Sequence, residues 1–140
     1  MLPKLSKRKP HEGVYTRLDI STVAGAGIGV FAISDIPSGA DVFGADDAET
    51  VMVEKTETLA LSPEIRKLYH DFCVLKNGTY ECPVSFNSLT VSWYLNTSET
   101  PNVRPDSNLR FRAIREIKAG EELLANYEEY SENEDAEFVP

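Results

Sequence analysis

Two stretches of the chain repeat one pattern. Ile33-x-x-Ile36-x-x-Gly39-x-x-Val42 matches Ile114-x-x-Ile117-x-x-Gly120-x-x-Leu123. Each copy reads as strand, turn, strand, with the glycine freeing the backbone of the turn. Two copies are too few for a solenoid. They predict two similar β units packed in one core, so the fold class is mostly β with short helices.

The remaining segments agree. Val14, Thr16, Leu18 and Ile20 alternate with Tyr15, Arg17 and Asp19, a strand pattern. A glycine-rich turn, Gly25–Gly29, leads into the apolar run Val30–Ile33. Val42-Phe43 and Val51–Val53 read as short strands, as do Leu89–Leu95, Leu109–Ala113 and Glu121–Ala125. One helix is expected from Ser62 to Lys76. Ser62 suits the N-cap and Pro63 the first helical position. Ile65, Leu68, Tyr69 and Phe72 recur at helical spacing, and Asn77-Gly78 reads as the stop.

At 140 residues the chain is expected to form one domain over 13–130. A basic arm (1–12) precedes it and an acidic tail (131–140) follows. The formal net charge of -9 is uneven. Lys4, Lys7, Arg8 and Lys9 make the start basic, while no Lys or Arg follows Glu121. A negative field of this kind attracts a basic partner and disfavours a nucleic-acid backbone. No apolar run is long enough to span a membrane. The N-terminal stretch lacks an apolar signal region, so Cys73 and Cys82 are expected as reduced thiols inside a cell, with nothing to separate cytoplasm from nucleus. The sequons at Asn77 and Asn96 then read as chance matches.

Several chemistries are disfavoured. The Gly25–Gly29 stretch opens no helix and precedes no Gly-Lys-Ser/Thr, so it is neither a dinucleotide fingerprint nor a P-loop. His70, Cys73 and Cys82 supply only three candidate ligands where structural zinc wants four, so no metal site is assigned. There is no Gly-x-Ser-x-Gly elbow. The loop WYLNTSETPN, Trp93–Asn102, is rich in side chains that bond their own backbone.

Three motifs, taken in order, form a signature: GIGVFA (Gly27–Ala32), N-x-S-x-x-P-N (Asn96–Asn102) and G-E-E-L-x-x-x-Y (Gly120–Tyr127). With the Ile-x-x-Ile-x-x-Gly lead-in, this resembles the SET domain of protein lysine methyltransferases. The resemblance runs from about Val14 to Tyr130, with residues 44–88 in place of the family's variable insert.

The resemblance implies small curved sheets around a C-terminal pseudoknot, with WYLNTSETPN as the loop over the ANY segment. It implies S-adenosylmethionine as cofactor. The backbone of Gly27, Ile28 and Gly29 would line the methionine part, and Asn96 would use its amide on the amino-acid end. Thr97 would contact adenine through its backbone. Tyr127 matches the catalytic tyrosine, and Tyr94 and Tyr130 fall to the substrate side, with Tyr130 or Phe138 as a lid. The implied substrate is a lysine of a basic protein, histone or other. Two departures stand out. Thr97 replaces the family's His, which keeps open the alternative of a catalytically silent, cofactor- or peptide-binding relative. No cysteine cluster follows Tyr127, so the zinc-bound C-terminal cap of many relatives is missing.

Overall fold

The repeat governs how the chain closes. The computed structural model describes residues 9–132 except 45, 47 and 48. In it the two copies pair with each other about a local pseudo-twofold. The Ile36 amide donates to the Ile117 carbonyl (2.7 Å), and the Ile117 amide donates back (2.9 Å). The Gly39 amide bonds the Ala113 carbonyl (2.7 Å), and the Gly120 amide bonds the Ala32 carbonyl (2.8 Å). Both glycines turn with positive φ, 86° and 87°, where a side chain would be strained. Ile36, Val42, Ile117 and Leu123 lie in the main core with Val30, Leu95 and Val103. The leading isoleucines, Ile33 and Ile114, are exposed and make no core contact of that kind.

Three small sheets result. The first has the order β1 (Thr16–Ile20), β2 (Ile28–Ala32), β9 (Glu122–Ala125) and β6 (Asn96–Thr97). β1, β2 and β9 are antiparallel neighbours, whereas β6 runs parallel to β9 with Asn96 opposite Leu124. The second sheet has the order β3 (Thr50–Glu54), β5 (Thr79–Pro83), β4 (Val74–Lys76). It has its own apolar cluster of Cys73, Leu75, Tyr80 and Cys82, with Tyr69 packed against it. The third pairs β7 (Val103–Pro105) with β8 (Phe111–Ala113).

Several expected elements are corrected. The helix α2 runs only Pro63–Phe72; Ser62 does cap it, accepting from the Ile65 amide. Beyond Cys73 the chain is strand, because Asn77 and Gly78 both take positive φ and form a two-residue hairpin turn rather than a helix stop. A short helix α1, Lys55–Thr58, was not expected at all. Leu89–Leu95 holds a 3₁₀ turn, Val91–Tyr94, not a strand. Val42-Phe43 forms a turn beside a single bridge, Asp41 to Arg112. β1 is a strand as expected, but it lies at a sheet edge, and its alternating Ile20 is 77% exposed. Among the described residues no helix is long and apolar enough to cross a membrane.

Candidate functional site

The loop after Leu95 brackets β9. Asn102 is buried, and its amide nitrogen donates to the Glu122 carbonyl (2.8 Å). Its side-chain oxygen accepts from the Leu124 amide (2.8 Å), and its backbone amide reaches the Leu124 carbonyl (2.9 Å). Thus one residue satisfies one backbone amide and two carbonyls that a buried strand must pair. Within the loop, the Ser98 hydroxyl accepts from the Thr100 amide (3.0 Å), the local self-bonding expected of such residues.

Glu122 sits at the centre of a polar knot that sequence reasoning missed. Its carboxylate accepts from the Ser21 hydroxyl (2.7 Å), the Thr22 amide (2.7 Å), the Thr22 hydroxyl (2.6 Å) and the Asn96 amide nitrogen (3.3 Å). Burial alone would raise its pKa, but the donors of Thr22, Ser21 and Asn96 overcome this and hold it below the usual carboxylate value. Asn96 also donates to the Ser21 hydroxyl (3.1 Å) and the Ile28 carbonyl (2.9 Å), which joins β6 to β2. A Cβ on Gly29 would meet the Glu122 carboxylate oxygen at 2.1 Å. The second glycine of GIG and the second glutamate of GEEL are therefore one device. A signal existed: Glu122 is a charge at a buried position in an apolar strand, which demands partners.

The lowered pKa has a stability consequence. A depressed folded-state pKa contributes stability above the unfolded carboxylate value and loses it as pH falls through the folded value. We therefore expect Glu122→Gln to lower the melting temperature at pH 7, with the gap to the parent protein narrowing as the pH drops below about 4. Melting curves from pH 7 to pH 3 measure this; a gap that widens at low pH would exclude the carboxylate as its source.

Tyr127 connects two regions. Its amide donates to the Thr97 hydroxyl (3.1 Å), next to the Gly27–Gly29 backbone that Asn96 holds. Its phenol donates a short hydrogen bond to the Leu95 carbonyl. It lines a cleft of about 620 Å³ bordered by α2, the second sheet and Phe111 of β8. Burial, and then the charges of Asp71 and Glu122, push its pKa up to about 12, so the phenol stays protonated at neutral pH. Tyr130 lines the same cleft, with its ring centroid 6.0 Å from that of Tyr127 and 5.3 Å from that of Phe111. Burial raises its pKa as well.

The other expected site residues fall as follows. Gly27, Ile28, Gly29, Asn96 and Thr97 stand together but outside the cleft lining, so Tyr127 is the residue common to both. Tyr94 packs edge-on against Phe72 (5.7 Å), and its neighbour Trp93 lines the cleft instead. The cleft carries the carboxylates of Asp41, Asp46, Asp71, Glu81, Glu128 and Glu132. Its Arg110 is paired with Asp41 at 3.0 Å, so the surplus charge is negative. Ser131 and Glu132 dock on β4: the Glu132 amide reaches the Leu75 carbonyl (2.9 Å), and the Leu75 amide reaches the Ser131 hydroxyl (3.1 Å). The rest of the expected acidic tail, Phe138 included, and the basic residues 1–8 lie outside the described residues. Among the described residues no group of three or more metal-binding side chains forms.

No curated protein sequence matches the chain significantly. Among solved structures, the Chaetomium thermophilum Polycomb repressive complex 2, in an autoinhibited conformation bound to S-adenosylmethionine, superposes with a TM-score of 0.60 at 26% identity. That match covers 86% of this chain and 16% of the other, so the chain spans a small part of its relative. An active Polycomb repressive complex 2 in the basal state gives 0.56 at 26% identity, over 81% of this chain and 15% of the other. A Plasmodium falciparum protein proposed as a histone methyltransferase shares the fold, with a TM-score of 0.52 at 18% identity, over 80% and 91%. The model of the SET domain matches residues 27–128, a span that begins at the glycine pair and ends just past Tyr127, and the chain belongs to the SET domain family.

Proposed function

We propose that this chain is a protein-lysine N-methyltransferase that uses S-adenosylmethionine and acts on a lysine of a basic protein. The observation that carries this reading is the placement of Tyr127, held at its amide by Thr97 and at its hydroxyl by Leu95, with its ring in an acidic cleft. The S-adenosylmethionine in the Chaetomium relative supports the choice of cofactor.

The residues present fit that cofactor. A Cβ at Gly27 would meet nothing within 4 Å, so open space faces bare backbone beside Ile28. The Asn96 amide nitrogen is committed to Ser21, Ile28 and Glu122, which leaves its oxygen as the acceptor for a ligand ammonium. Thr97 is exposed, and its hydroxyl supports Tyr127 through a backbone amide. That contact gives Thr a supporting role at the position where the family has His.

Bound S-adenosylmethionine supplies an electrophilic methyl on a sulfonium. The protein's task is then alignment of an amine with that methyl. A free lysine has a pKa of about 10.4; desolvation against the aromatic rings and the positive sulfonium favour its neutral, nucleophilic form, against the cleft carboxylates, which favour the charged form. Tyr127 is too weak an acid to serve as the base at neutral pH; its hydroxyl oxygen orients the amine by accepting an N–H. The carboxylates at the cleft draw in a Lys- or Arg-rich segment.

Two measurements test the reading. S-adenosylmethionine should bind by calorimetry, and label should pass from it to lysine in mixed histones or a cell lysate. Binding without transfer would leave the silent, cofactor-binding relative; no binding would remove the enzyme and leave only a peptide-binding relative. A further expectation concerns charge. Raising salt should increase the KM for a basic peptide several-fold while changing kcat little, because screening weakens recruitment and not alignment. An acidic peptide preferred over a basic one would exclude the electrostatic role.

A further inference from the structure

We propose that Cys73 and Cys82 are a thiol pair that closes reversibly to a disulfide and thereby pins one wall of the cleft that Tyr127 lines. They are the chain's two cysteines, both reduced and buried in the apolar cluster of the second sheet. The β4–β5 hairpin pairs Lys76 with Thr79, Leu75 with Tyr80 and Val74 with Glu81. One further rung sets Cys73 against Cys82. Cys73 has an extended backbone (φ -95°, ψ 149°), so that rung continues the strand.

The phase of the rung favours a cross-link. Both the amide and the carbonyl of Leu75 point away from β5, toward Ser131 and Glu132. Leu75 and Tyr80 are therefore a non-hydrogen-bonded pair, and so, two residues on, are Cys73 and Cys82. The Cys73 amide agrees, because it turns back to the Tyr69 carbonyl (3.0 Å). Such pairs place their Cα atoms about 4.5 Å apart, inside the range of about 4.4–6.8 Å that a disulfide spans.

The chemistry needs an outside oxidant, a peroxide. Cys73 is at the cleft and is the less deeply buried of the two, 7% exposed against 3% for Cys82. Its thiolate takes one oxygen from the peroxide to give a sulfenic acid and hydroxide. The Cys82 thiolate then attacks that sulfur, the S–O bond breaks as the S–S bond forms, and hydroxide leaves to be protonated. In total, two thiols and one hydrogen peroxide give one disulfide and two waters. In the reduced pair a hydrogen bond from Cys73 lowers the Cys82 pKa against the opposing effect of burial. The product ties the C-terminal end of α2, whose His70, Asp71 and Phe72 line the cleft, directly to β5.

The test is to treat the folded, full-length protein with stoichiometric hydrogen peroxide and follow it without any methyl-transfer assay. Expected are loss of both titratable thiols, a mass lower by two hydrogens, and a monomer on a non-reducing gel. The melting temperature should rise by several degrees, and dithiothreitol should reverse every change. Cys82→Ser, and separately Cys73→Ala, should abolish the mass change. Retention of both thiols by the folded protein, a disulfide-linked dimer, or irreversible oxidation of one sulfur would each overturn the proposal.

Discussion

Gly29→Ala is expected to destabilise the domain by about 2–4 kcal/mol, seen as a melting temperature lower by roughly 10 °C. The backbone itself accepts alanine, since Gly29 is not among the positive-φ positions. The cost comes from what the new methyl meets: the Glu122 carboxylate at 2.1 and 2.9 Å, and the Asn96 amide nitrogen at 3.2 Å. Neither group can swing aside cheaply. The carboxylate is held by Ser21 and by two donors of Thr22, and the amide by the Ile28 carbonyl. Yielding would leave a buried charge short of partners, which is the expensive outcome. The double variant Gly29→Ala with Glu122→Ala separates contact from backbone effects. It should melt above the sum of the two single losses, because the alanine methyl then has room. Additive losses, or a Gly29→Ala variant that melts like the parent, would show that the steric reading is wrong.

The same pair explains what the sequence could and could not reveal. The echo of Ile36-Gly39-Val42 in Ile117-Gly120-Leu123 predicts two β units in one core, and they meet there as mutually bonded copies. Asn102 and the self-bonding loop were legible in kind, because their side chains have few other uses. The length of α2 was not. Val74 and Leu75 satisfy a helical count as readily as a strand, and the decision lies with the Asn77-Gly78 turn and with Tyr80, which Leu75 meets across the hairpin. That is a tertiary contact overriding a local period. Leu89–Leu95 failed for a similar reason, as a short apolar run fits a strand and a 3₁₀ turn alike. Within the candidate site, motif matching singled out Gly27, Ile28, Gly29, Asn96, Thr97 and Tyr127. It passed over Ser21, Thr22 and Glu122, whose meaning appears only when strands distant in sequence are laid side by side. Tyr94, expected on the substrate side, packs on Phe72 within the 3₁₀ turn, and its neighbour Trp93 lines the cleft.

Tyr127→Phe is expected to reduce single-turnover methylation of a basic protein by roughly a hundredfold or more. Affinity for S-adenosylmethionine should change by less than about twofold. Phenylalanine keeps the ring, so the edge contact with Tyr130 survives. The backbone is also unchanged, so the Tyr127 amide still reaches the Thr97 hydroxyl. What disappears is the hydroxyl, and with it the bond to the Leu95 carbonyl. That bond is a net loss of about 1 kcal/mol in stability, too small to unfold the domain. A group that orients the amine matters most as the reacting atoms align, so its removal lowers kcat and leaves ground-state binding nearly intact. The pH dependence sharpens the test. Because the phenol's pKa is pushed up to about 12, methylation by the parent protein should show no tyrosine ionisation between pH 7 and pH 10, and neither should that by the variant. A loss of rate carried by a shifted pH profile would make Tyr127 a base, contrary to its burial. Full methyl transfer by the phenylalanine variant, with a slightly lower melting temperature, would make Tyr127 a structural strut between Leu95 and the cleft, and the case for an active enzyme would lose its central residue.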